Sequence, residues 1–85
     1  MTQANTAVPD RDALRELVAD VLDIPAEMIT DDAHFAHDLE VDSLMALELM
    51  VIMERTYGVK LDETRLKEVT SLARAHALLV EELSR

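Results

Sequence analysis

From Leu44 to Met53 the chain sets nine apolar residues around one charge, Glu48. This run is far too short to span a bilayer, so it must be reconciled with water. Asp42 or Ser43 is placed to open a helix there, and Gly58 supplies the left-handed position that ends one just after Tyr57. On a helical wheel, Ala46, Leu49, Met50, Met53 and Tyr57 share one side, an ordinary core stripe. Leu44, Leu47 and Val51 fall opposite, beside Glu48 and Arg55, with Met45 and Ile52 flanking the core. A helix on the outside of an 85-residue bundle cannot bury its whole circumference. Part of this second face stays in water. Apolar side chains rimmed by charge mark a protein-binding surface; the alternative is scattered surface hydrophobes, which are common.

The remaining sequence supplies the partners for that helix. Eighty-five residues make one small domain, with no room for a separate catalytic module. Residues 1–9 are polar and lack periodicity, so they read as a mobile tail ahead of a domain spanning 10–85. Asp10 is placed to cap a helix running to about Leu22, in which Leu14, Leu17, Val18 and Val21 share a face. Residues 23–42 lack sustained periodicity and read as a long loop pinned by Ile24, Met28, Ile29, Phe35 and Leu39, with a single helical turn after Pro25. Asp62 caps a short helix carrying Leu66 and Val69. Thr70 is placed to cap the last helix, with Leu72, Ala75, Leu79 and Leu83 as its buried stripe. No strand pattern of useful length occurs. The expectation is an all-α four-helix bundle, three longer helices plus one short, with a long loop between the first and second. Phe35 and Tyr57 are the only aromatics, so Leu, Val, Ile, Met and Ala must build the core.

Charge narrows the function. The net charge is −10, and residues 16–54 contain eleven carboxylates without a single Lys or Arg. Such a field repels nucleic acid and anionic membranes and attracts proteins with basic patches. An acidic rim also speeds brief encounters, an effect that falls with salt. With no Cys there is neither a disulfide framework nor a thiolate metal site. Residues 1–8 lack the charged and apolar regions of a signal peptide. The reading is a cytoplasmic, stand-alone monomer.

Ser43 lies where the acidic stretch meets the apolar helix, and it has three readings. A catalytic nucleophile needs a base within reach and an oxyanion hole. The only histidines are His34, His37 and His76, no Gly-x-Ser-x-Gly elbow exists, and the single glycine is Gly58. As an N-cap, Ser43 would duplicate Asp42. As an attachment point, it would carry a phosphodiester at a helix N-terminus, where unpaired amides and the macrodipole favour an anion. His34-x-x-His37-Asp38 lacks further ligands for a metal site and reads as exposed loop histidines. Asp38-x-Glu40-x-Asp42 is no EF-hand, because Ser43 and Leu49 stand where its glycine and bidentate glutamate belong. His76 and Tyr57 read as packing residues.

Asp38-Leu39-Glu40-Val41-Asp42-Ser43-Leu44 resembles the phosphopantetheine attachment motif of acyl carrier proteins, usually Asp-Leu-Gly-x-Asp-Ser-Leu. Phe35 before the motif, Tyr57-Gly58-Val59 after the helix, and Thr70 opening the last helix extend the likeness from about Asp10 to Leu83. The resemblance implies a non-catalytic carrier of the discrete type. A phosphopantetheinyl transferase would place the 4′-phosphopantetheine of coenzyme A on Ser43, and the arm would hold acyl groups as thioesters. It implies docking of an acyltransferase or acyl-ligase, a ketosynthase and tailoring enzymes of fatty acid or polyketide synthesis. Their basic patches would read Asp42, Glu48, Glu54, Asp38 and Glu40 and contact Leu44, Leu47 and Val51. A peptidyl or aminoacyl carrier, or an unmodified adaptor with the same fold, are the alternatives. Glu40 stands where the family usually has glycine, and before Val41 it is expected to be extended.

Overall fold

The computed structural model describes residues 10–84; the tail expected at 1–9 lies outside them. These residues form α1 (Arg11–Leu22), α2 (Phe35–Asp38), α3 (Ser43–Tyr57) and α4 (Leu72–Leu83), with 3-10 segments at Ala26–Met28 and Glu63–Glu68. No strand occurs among them. The all-α bundle of three longer helices is therefore observed. The short helix expected after Asp62 has 3-10 geometry, and the long loop holds a helical turn, α2, that periodicity does not reveal.

Apolar spacing explains the packing. Leu14, Val18 and Leu22 of α1 are buried with Leu49, Met50 and Met53 of α3 and with Leu72, Ala75, Leu78 and Leu79 of α4. α1 packs on α4 and α3, and the second 3-10 segment packs on α3 and α4. Each fully buried Leu, Met or Phe contributes about 1.5–3 kcal/mol relative to exposure. The last helix departs in two details from its sequence reading. Ser71, not Thr70, caps it, the hydroxyl accepting from the Arg74 amide at 3.2 Å. Leu83 is only half-buried, because it is the last residue of the helix and the buried stripe of Leu72, Ala75, Leu78 and Leu79 ends before it. Asp10 precedes α1 without a side-chain cap bond; only its carbonyl takes part, accepting from Leu14.

The loop between α1 and α3 is stapled at both ends of its span. Arg15 of α1 donates to the Ile29 carbonyl at 2.8 Å. Arg11 and Arg15 both pair with Asp31. The Phe35 amide donates to the Thr70 carbonyl at 2.7 Å, and the Phe35 carbonyl accepts from Val41 at 2.9 Å. Ile29, Phe35 and Val41 are buried, while Ile24 and Leu39 pack partly against the core. Met28 is not an anchor: it is 54% exposed at the end of the turn opened by Pro25, and the next residue, Ile29, is the one buried in the core. The loop ends are thus fixed by hydrogen bonds that cross between elements, which no local pattern could announce.

Candidate functional site around Ser43

The site is built at the junction of this loop with α3. Asp42 is extended (φ −90°, ψ 178°), and its Oδ1 accepts from the Met45 amide at 2.9 Å. Capping is therefore done by Asp42. Ser43 is the first residue of the helix and is exposed. The first-turn amides of Ser43 and Leu44 lie outside the intrahelical ladder, so an anion carried on the Ser43 hydroxyl would meet the positive end of a fifteen-residue helix.

Ser43 stands at the edge of a cleft of about 390 Å³ between α3, the start of α2 and the second 3-10 segment. Phe35, Val41, Ala46, Leu66 and Val69 give it apolar walls, and Asp42, Glu63 and Lys67 lie on it as charged groups. The residues present fit a phosphopantetheine arm: an accessible hydroxyl for the bond, a helix N-terminus for the phosphodiester and an apolar cleft alongside. A second cleft, of about 920 Å³, runs beside Leu47, Val51 and Glu54 toward Lys60 and Arg65.

The backbone before Ser43 differs from the extended reading of Glu40. Its φ is +57°, in the left-handed region. The turn after α2 requires this: the Leu39 and Val41 amides both donate to the Phe35 carbonyl, and only a reversal at Glu40 brings Val41 back to it. Glutamate therefore occupies a position that suits glycine.

The expected docking residues divide into two groups. Leu44 is 74% exposed and Val51 39%, Leu47 is half-buried, and Glu48 is exposed beside them. Asp38, Glu40 and Asp42 are exposed on the approach to Ser43, although Asp38 also accepts from the His34 amide at 2.7 Å. Glu54 has a structural duty, accepting from the Leu61 amide at 2.7 Å and fixing the chain after Gly58. His34 is no simple surface residue either; its Nδ1 caps α2 by accepting from Ala36 and His37. Among the described residues no three His, Asp or Glu side chains group closely enough to hold a metal. Tyr57 is partly buried, and burial, aided by the charge of Asp10, raises its hydroxyl pKa.

Residues 12–79 match the protein family described as "Phosphopantetheine attachment site". The chain belongs to this family of acyl carrier proteins. It is 51% identical over 83 residues to a protein of Streptomyces avermitilis named polyketide-8 synthase acyl carrier protein 2, covering 98% of this chain and 95% of that one. It is 31% identical over 71 residues to the acyl carrier protein of Petrotoga mobilis, covering 84% of each. A further Streptomyces avermitilis carrier, polyketide-8 synthase acyl carrier protein 1, is 29% identical over 68 residues. As an acyl carrier protein, the chain holds covalent 4′-phosphopantetheine and works with transferase and synthase enzymes. No helix of the described residues is long and apolar enough to cross a membrane.

Proposed function

We propose that Ser43 is the attachment residue and that the protein, itself non-catalytic, carries acyl intermediates of polyketide-type synthesis in the cytoplasm. The observation that carries the reading is the division of labour at the start of α3. Asp42 satisfies the helix end, and the neighbouring Ser43 hydroxyl is exposed at the rim of the cleft. When bound, the arm supplies a terminal thiol that holds acyl groups as thioesters. The chain's own residues do three things for it. Ser43 offers the bonding oxygen, the first turn of α3 offers amide dipoles to the phosphodiester, and the walls of the cleft keep water from an apolar cargo.

Partner enzymes dock on α3 through Leu44, Leu47 and Val51, with Asp38, Glu40, Asp42 and Glu48 attracting basic patches and Glu54 shaping the far end of that surface. Exposed apolar area inside an acidic rim supports this reading. The name of the Streptomyces avermitilis relative favours polyketide synthesis over fatty acid synthesis as the setting. The test is intact mass after incubation with coenzyme A and a broad-specificity phosphopantetheinyl transferase. We expect a gain of one phosphopantetheine on the parent and none on a folded Ser43→Ala variant. A gain retained by the alanine variant would move the attachment elsewhere and sink the assignment.

A further inference from the structure

A phosphodiester on Ser43 adds negative charge where the chain has least to offset it. Between Glu16 and Glu54 there is no Lys or Arg. His34 also lines the cleft, but its Nδ1 is engaged as an acceptor in capping α2. Neither the loop nor the first three turns of α3 therefore holds a permanent cation. The compensating charge must come from another element. Lys67, on the second 3-10 segment, lines the same cleft as Ser43. Of the other cations among the described residues, Arg11 and Arg15 hold Asp31 and Arg65 holds Glu68 and Glu81, while Arg55, Lys60 and Arg74 do not line this cleft. Lys67 is exposed and takes part in no ion pair among the described residues, its charge reaching Glu68 only at longer range.

We propose that Lys67 is the anchoring cation for the phosphodiester carried on Ser43, fixing the root of the arm across the mouth of the cleft. The inference rests on the assignment of Ser43 above. Before modification Lys67 shares the cleft with Asp42 and Glu63, and Asp42 Oδ1 is already occupied by the Met45 amide. A phosphodiester there is bracketed between the α3 amides on one side and a flexible ammonium on the other. A lysine suits this task, because its point charge and three donors do not require a fixed fork geometry.

The parent, Lys67→Gln, Lys67→Glu and Lys67→Arg would each be prepared apo and loaded, with fragment mass locating the arm. The phosphorus resonance and the loaded-minus-apo melting difference are then read at low and high salt. We expect the arginine variant to match the parent. The glutamine variant should shift the phosphorus resonance and lower the melting difference by about 1–6 °C at low salt, with the gap closing at high salt. The glutamate variant should lower it further. Identical phosphorus shifts and melting differences in parent and Lys67→Gln, both loaded on Ser43, would overturn the role of Lys67 alone. Absence of the arm from Ser43 in the parent would overturn the attachment assignment and this inference with it.

Discussion

Replacing Glu40 by glycine should stabilise the protein. Glu40 has φ +57°, a conformation in which an L side chain crowds the following carbonyl, at a cost of about 1–2 kcal/mol. Glycine removes that crowding but loses more backbone entropy on folding, about 0.5–1 kcal/mol. The net gain is about 0.5–1 kcal/mol, a rise in melting temperature of roughly 2–8 °C for a domain of this size. The side chain is exposed, so no core contact is lost. Its carboxylate is also removed from between Asp38 and Asp42, and Glu40→Gln isolates that electrostatic share while retaining the strain. Thermal and urea melts of the parent and both variants decide the matter, with the urea slope unchanged if the folded state is intact. A glycine variant that melts no higher than the glutamine variant would refute the strain argument.

Other perturbations probe the remaining joints. Phe35→Ala should cost about 3–5 kcal/mol by opening a cavity under the loop that leads to Ser43, and a urea melt would show most of the domain's stability gone. The carboxyl of Asp31 is held below its usual range chiefly by the hydrogen bond from Arg11, against a desolvation effect that acts the other way. Its folded pKa is depressed, so its contribution is complete above the unfolded value, about pH 4, and is lost as pH falls through the folded value. Asp31→Asn should accordingly flatten the acid limb of a stability–pH curve and leave the neutral limb parallel to the parent's. Leu44→Ala should change stability by less than about 0.5 kcal/mol, because the side chain is 74% exposed. It should lower the efficiency of arm transfer by roughly 5- to 30-fold if Leu44 anchors the docked enzyme. Steady-state loading kinetics and a thermal melt on the same sample would separate these effects.

Local pattern carried much of the architecture. The three- and four-residue spacing around Leu14 and Val18, the apolar run from Leu44 and the glycine at position 58 each place a helix or its end. Those signals survive because the residues that set them are sequence neighbours. The failures share the opposite property. α2 was not legible, since its cap is a histidine and its burial depends on one residue, Phe35, whose amide is held by Thr70 far along the chain. Thr70 looked like a cap for α4, but its carbonyl is drawn toward Phe35 and Ser71 takes the capping position. Met28 and Leu83 have the right hydrophobicity but end their elements outside the buried core. Glu54 read as a surface charge because nothing in its neighbourhood announces the Leu61 amide seven residues on.

Residue type and spacing alone place the three long helices, the acidic field and Ser43 between a capping aspartate and an apolar helix. Through the motif the sequence also pointed to the family. The closed fold is what turns Glu40 left-handed, leaves Met28 exposed instead of anchoring the loop, and puts Lys67 on the same cleft as Ser43. Each of those depends on where the second 3-10 segment and the stapled loop come to rest against α3. That placement is fixed by hydrogen bonds and ion pairs between distant residues, such as Phe35 with Thr70 and Arg15 with Asp31. Such pairings have no period, so they become visible only once the chain has closed on itself.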